Sequence, residues 1–264
     1  MIRDLNTLID VSNVSQTFNI GDEQVNVLNN VNLKIMPKTL NIIYGQSGSG
    51  KSTLINILTG LQKPSTGRVV VNGRALYELE PDELAYFRAN DIGIVYQQDY
   101  WVKSLTVAEN VSMPLYFSGH SRSSAMGLVM NALDKVGMAD YAKKYPTMLS
   151  GGEQKRIVLA RAIVNDPHII VADEPTGSLD STNGDNVINL LYRFQSLLGR
   201  TIILVTHNME YIPLADHLFN IHDGLIVETA NSADISRTAD KLMQDMKKRI
   251  DTITKARLHD KGKR

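Results

Sequence analysis

Apolar and polar positions change rhythm along this chain, and the changes divide it. From Leu8 to Leu40 short apolar stretches alternate with polar residues around a turn at Gly21-Asp22, which predicts an antiparallel β layer. After it come four short and almost continuously apolar runs: Leu40-Asn41-Ile42-Ile43-Tyr44, Ile92-Gly93-Ile94-Val95, Ile169-Ile170-Val171-Ala172 and Ile202-Ile203-Leu204-Val205-Thr206. Runs of this length without alternation are expected of strands covered on both faces, as in a parallel sheet. Helical periodicity separates them, over Lys51 to Leu58 and over Lys155 to Val164. Between Gln98 and Pro146 the pattern is mainly helical, over Val107 to Tyr116, Ser123 to Val136 and Ala139 to Lys144. The fold class is therefore α/β, with an antiparallel β portion and a helical portion added to a mainly parallel sheet.

Each apolar run ends on residues with chemistry. Leu40–Tyr44 leads into Gly45-Gln46-Ser47-Gly48-Ser49-Gly50-Lys51-Ser52, followed by Thr53, which fits the phosphate-loop template between a strand and a helix. Its glycines allow successive N–H groups to turn inward toward phosphate oxygens, and the helix beginning at Lys51 adds its positive end. Lys51 is placed to neutralise the β- and γ-phosphates, and the Ser52 hydroxyl to ligate Mg²⁺. The run 169–172 ends in Asp173 and Glu174. At a strand's C-terminal end Asp173 falls beside the phosphate loop, suited to the Mg²⁺ shell, and Glu174 falls where a carboxylate can polarise an attacking water. Ser150, Gly151 and Gly152 precede the next helix and form a second helix start suited to an anion, although such residues also serve as simple caps.

These stretches occur in one order: the phosphate loop, Gln97, Leu149-Ser150-Gly151-Gly152-Glu153-Gln154, Asp173-Glu174-Pro175-Thr176 through Asp180, and His207 after Val205-Thr206. In that order, over about residues 10 to 228, the chain resembles the ATPase subunits of ABC transporters, within them the lipoprotein-releasing and macrolide-export group, with the cell-division ATPase a near relative. The resemblance implies a P-loop NTPase of RecA-like core with an antiparallel β subdomain, residues 1–97 and 160–229, and an ABC-type α-helical subdomain over residues 98–159. It implies binding of ATP with Mg²⁺ and hydrolysis to ADP and phosphate. Gln97 matches the glutamine that touches Mg²⁺ and the attacking water, with Gln98 leaving the register open by one residue. His207 matches the histidine that contacts the γ-phosphate, Asp180 the residue that links two sites across a dimer, and Phe18 the aromatic that stacks on adenine. Ser150, Gly151 and Gly152 match the end that faces the γ-phosphate held by a second copy, so ATP would be buried between two chains. The implied partners are that second copy and an integral-membrane permease subunit, with the chain peripheral on the cytoplasmic face of the membrane.

Composition narrows the classes. Twenty-eight Lys and Arg balance 28 Asp and Glu, and there is no cysteine, which excludes a disulfide framework and a thiolate metal site. Met1 to Asn6 lacks the pattern of a signal peptide, and no apolar run approaches the roughly 20 residues of a membrane span, so a pore is expected from another polypeptide. A soluble ABC protein working on DNA or the ribosome is disfavoured by the single cassette and the lack of a basic core, so no nucleic acid is expected. A nucleotide-gated scaffold of the cell-division type stands beside the transporter reading, the two differing only in partner. Trp101 and Tyr100 are placed either to dock a membrane subunit or to pack within the helical subdomain. From Ser232 to Arg264 the chain carries ten basic and five acidic residues, with Ile235, Ala239, Leu242, Met246, Ile250 and Ile253 at helical spacing. This tail, residues 230–264, reads as a basic amphipathic helix for anionic lipid, for a membrane subunit or for the protein's own core.

Overall fold

The computed structural model describes residues 7–244. The antiparallel layer is a four-stranded sheet of order β2-β1-β4-β5, made of β1 (Ile9–Ile20), β2 (Glu23–Ile35), β4 (Thr66–Val71) and β5 (Arg74–Ala75). β1 and β2 turn at Gly21-Asp22 and pair from Ile20↔Glu23 to Ile9↔Ile35. The second sheet has order β10-β9-β3-β8-β7-β6, formed by β3 (Leu40–Tyr44), β6 (Ile92–Val95), β7 (Ile169–Asp173), β8 (Thr201–Thr206), β9 (His217–His222) and β10 (Leu225–Asn231). β10 alone in this sheet runs antiparallel to its neighbour.

The continuous apolar runs are buried on both faces, and their period of two splits them between two cores. Leu40, Ile42, Ile170, Ala172, Ile202 and Leu204 face a core shared with the helices α3 (Val107–Phe117), α4 (Arg122–Lys135), α5 (Gly151–Ile163) and α6 (Ser181–Ser196). Ile43, Ile169, Val171, Ile203 and Val205 face the opposite way, onto a core shared with the antiparallel layer, α1 (Lys51–Leu58) and α2 (Pro81–Asn90). Alternate side chains of a strand point to opposite faces, so each of these strands belongs to both layers at once. The helical unit is thus not separate from the sheet: α5 continues through residue 160, where the sequence reading placed a boundary, and carries its packing into the parallel sheet.

Two predicted helices end differently. α5 begins four residues before Lys155 because Ser150 and Glu153 form a reciprocal capping box that satisfies the first turn. The helix expected over Ala139 to Lys144 is a single 3₁₀ turn, Ala139–Tyr141. In the tail, residues 235–244 are helical, with Ile235 and Ala239 buried and Leu242 packed against the first core, which favours the reading of a helix laid on the protein itself. Met246, Ile250 and Ile253 lie outside the described residues. No helix among the described residues is long and apolar enough to cross a membrane.

Candidate functional site

Strand register brings the chemistry together. Tyr44 at the end of β3 pairs with Thr206 at the end of β8, Val205 pairs with Asp173, and Ala172 pairs with Val95. The residues that follow these strand ends therefore emerge along one edge of the sheet, the carboxyl edge at which ligands bind in such folds. Ser47, Gly48, Gly50, Lys51, Ser52, Thr53, Gln97, Asp173, Glu174 and His207, with Val27 from β2, line one cleft of 370 Å³.

The phosphate loop is preformed by its own contacts. Lys51 is 6 % exposed and its Nζ donates to the carbonyl oxygens of Gly45 at 2.8 Å and Gln46 at 2.7 Å. Burial lowers the lysine's pKa, while Glu174 and then Asp173 act to keep it charged. Gly50 caps α1 at φ 101°, in left-handed space, and a Cβ there would lie 2.8 Å from the Val27 carbonyl oxygen. Only glycine meets both demands without strain. The loop is tied behind by Gly224 N–H donating to the Ser49 carbonyl at 3.1 Å. Gly45, Gln46 and Ser49 thus shape the loop from outside the cleft. The Ser49 hydroxyl is buried and has no hydrogen-bond partner among the described residues, an unsatisfied polar atom in a loop whose chemistry suits phosphate.

Two carboxylates close the other wall. Ser52 Oγ donates to Asp173 Oδ2 at 3.2 Å, so the two oxygen ligands proposed for a magnesium ion already converge. Burial raises the Asp173 pKa, offset in part by that hydrogen bond. Glu174 follows the strand at φ 46°, a left-handed backbone uncommon outside glycine, held by its N–H donating to the Val205 carbonyl at 2.9 Å. Its carboxylate lies 3.9 Å from Lys51 Nζ and 2.5 Å from His207 Nδ1, and the His207 ring is 62 % exposed on the open side.

Other predicted residues sit apart from this cleft. Ser150, Gly151 and Gly152 begin α5, the first two exposed and Gly152 buried, and do not line it. The Ser150 N–H and hydroxyl both donate to Glu153 Oε2 at 2.8 Å, bonds that hold the Glu153 carboxyl below its ordinary pKa, helped by the Tyr141 hydroxyl. Asp180 caps α6, accepting from Asn183 N–H at 2.9 Å and Asn183 Nδ2 at 2.7 Å, which lowers its pKa. A Cβ on Gly152 would fall 2.3 Å from Asn183 Oδ1, so the signature glycine is also what lets α6 approach α5. Phe18 is half exposed on β1 opposite Val25 and does not line the cleft, whereas Val27, which no motif singles out, does. Asn183 and Val27 carry no sequence signal because their roles come from register between distant segments.

Residues 28–177 match the family model described as ABC transporter. The chain belongs to the ABC transporter family. It is an ATP-binding ATPase cassette with the P-loop NTPase fold of that family. An uncharacterized ABC transporter ATP-binding protein of Mycobacterium tuberculosis is 38% identical over 224 residues, which span 85% of this chain and 90% of the relative. The macrolide export ATP-binding/permease protein MacB of a Shewanella strain is 38% identical over 92% of this chain, which covers 37% of that longer protein. Among solved structures, the dimeric bacterial ABC transporter cassette MJ0796 superposes with a TM-score of 0.79 at 36% identity, covering 85% of this chain and 98% of that one. The same cassette is known as a dimer in a post-hydrolysis state bound to ADP and Pi.

Proposed function

We propose that two copies of this chain close on two Mg-ATP molecules and that hydrolysis drives an integral-membrane permease in export, lipid or lipoprotein extraction, or force transmission, with the chain on the cytoplasmic face. The observation that carries the reading is that the cleft gathers Lys51, Ser52, Gln97, Asp173, Glu174 and His207 while Ser150–Gly152 stands outside it on the same chain. A second copy would bring that helix start to the open side of the cleft, and the dimeric state of the related cassette supports this arrangement.

Within the cleft each residue has a distinct part. The loop amides and Lys51 bind the phosphates, and the low-dielectric position of Lys51 strengthens its attraction. Ser52, Gln97 and Asp173 would hold Mg²⁺. Bound there, Mg²⁺ would neutralise charge on the phosphates. Glu174, fixed by its turn, is aimed to accept a proton from the attacking water, and His207 orients that carboxylate from the solvent side. Val27 and the antiparallel layer form the apolar wall, and Phe18 lies further along β1 for the base.

One surface would suit a permease. A groove of 780 Å³ runs beside β6, lined by Ile94, Tyr100, Met113, Phe117 and Arg161 among others, with Phe117 78% exposed. Trp101 packs against the helical core, its Nε1 donating to Gln154 Oε1 at 2.9 Å, so Tyr100 takes the docking part and Trp101 the packing part. The ATP-binding/permease composition of the MacB relative supports such a partner.

The test is the Glu174→Gln protein. With Mg-ATP it is expected to elute as a dimer by light scattering and to hydrolyse at least about a hundredfold more slowly than wild type. A monomer at saturating Mg-ATP would overturn the two-chain site.

A further inference from the structure

The segment from Tyr96 to Thr106 leaves β6 with Gln97 in the cleft and then crosses to the helical unit. It has no ladder of its own, yet α5 and α3 hold it along most of its length. Lys155, on the second turn of α5, is 2 % exposed, and its Nζ donates to the Tyr96 carbonyl at 3.3 Å, the Gln97 carbonyl at 3.0 Å and Asp99 Oδ1 at 2.7 Å. Arg161 donates to the Asp99 carbonyl at 2.6 Å and the Tyr100 carbonyl at 3.3 Å, and its guanidinium lies over the Trp101 ring at 5.1 Å. Asn110 of α3, fully buried, accepts from Val102 N–H and donates to the carbonyls of Val102, Leu105 and Thr106.

The lysine is the informative member. An ammonium group so buried is retained only when its three protons are used, and here all three are spent on this one segment. Two of the acceptors are main-chain oxygens, so the contact fixes backbone position and not side-chain identity. Lys155 also lies five residues from Ser150, on the same helix, so a displacement of the α5 start acts on the Gln97 carbonyl through one rigid turn.

The geometry assigns Lys155 as the positioning residue that sets Gln97 at the cleft and ties its place to the start of α5. This assignment rests on the two-chain ATPase reading for its effect on turnover.

Trp101 is the single tryptophan of the chain and sits in the held segment, so it reports the segment's position without any added label. In Lys155→Met, acrylamide quenching of Trp101 is expected to rise and kcat for ATP to fall by about tenfold or more, as a misplaced group near the reacting centre requires, with KM for ATP nearly unchanged. In the Gln97→Ala background the same substitution is expected to leave kcat where Gln97→Ala put it, because one interaction is not lost twice. Lys155→Gln, which keeps donors at that place, is expected to recover part of both signals. Unchanged quenching, or losses in kcat that multiply across the two backgrounds, would overturn the assignment. Should Lys155→Met not fold, Asp99→Asn, which keeps the shape and removes the charge, carries the same comparison. Wild-type protein without ATPase activity would refute the functional reading itself, while Trp101 quenching still decides whether Lys155 holds the segment.

Discussion

Two helices of this protein begin at glycine-rich turns, α1 at the phosphate loop and α5 at Ser150, and they satisfy their first turns in opposite ways. α1 has no side-chain cap and no acidic residue in its first turn; its cap is Gly50 in left-handed space, and its lysine is drawn back onto the loop carbonyls. Its amides are therefore left to a ligand. α5 is capped by Ser150 and by Glu153, whose carboxylate takes up the Ser150 N–H and hydroxyl. An anion arriving at α5 must compete with Glu153, whereas one arriving at α1 meets no rival carboxylate on its own first turn. The first end leaves its amides without a side-chain cap, and the second is closed by its own residues.

The largest effects should separate the two ends by function. Lys51→Ala is expected to weaken ATP binding and lower turnover by about a hundredfold or more, since it removes the buried charge of the phosphate loop. Ser150→Arg is expected to abolish turnover while the monomer still binds ATP, measured by equilibrium binding of a fluorescent nucleotide. Equal loss of both activities in Ser150→Arg would reduce the α5 end to a structural cap.

The glycines come next. Gly50→Ala meets a positive φ and a 2.8 Å approach to the Val27 carbonyl, and is expected to cost about 1–3 kcal/mol in denaturant unfolding. Gly151→Ala meets only Leu179 Cδ2 at 3.4 Å in helical backbone and is expected to stay within about 0.5 kcal/mol of wild type. Comparable losses at both positions would erase the contrast.

Acid should move the two ends in opposite senses, with the smallest effects. Burial raises the Asp173 pKa, so its ionisation costs folded-state stability as pH rises above the ordinary aspartate value of 3.8, and the cost is complete above the folded value. Asp173→Asn should therefore melt higher than wild type at neutral pH without nucleotide, and lose that advantage in acid, while failing to support Mg-dependent turnover. The Ser150 bonds lower the Glu153 pKa, so its contribution is present at neutral pH and is lost as pH falls through the folded value. Glu153→Gln should melt slightly lower than wild type at neutral pH, and the difference should close in acid. Thermal melts of both variants across that range decide the signs.

How far these ends were legible in the chain differs for a physical reason. The phosphate loop is local: strand, glycines, lysine and helix follow one another within 19 residues, so spacing alone specifies the pocket. The α5 end was legible as a helix start but not as a closed one, because the same residues serve a cap or an anion and only the Glu153 rotamer distinguishes them. The Ala139 to Lys144 stretch has helical composition, yet it is one 3₁₀ turn, its chain drawn against α3 by Val107 N–H donating to the Lys144 carbonyl and Ala108 N–H to the Ala142 carbonyl. Lys155 gave no signal as a positioning residue, since a lysine on a helix is ordinarily a solvated one.

The order of motifs, read alone, determined the family, the α/β class, the nucleotide and those cleft residues that follow apolar runs, from the phosphate loop to Gln97, Asp173, Glu174 and His207, because strand ends in a parallel sheet share one edge. Tertiary structure alone decided which residues meet across long separations: Val27 and not Phe18 in the cleft, Asn183 against Gly152, Ile235 and Ala239 on the core, and Lys155 under Gln97. Local periodicity encodes what a segment is; the partner of a side chain depends on the register and packing of segments that are distant in the chain, and those are settled only when both hydrophobic cores close at once.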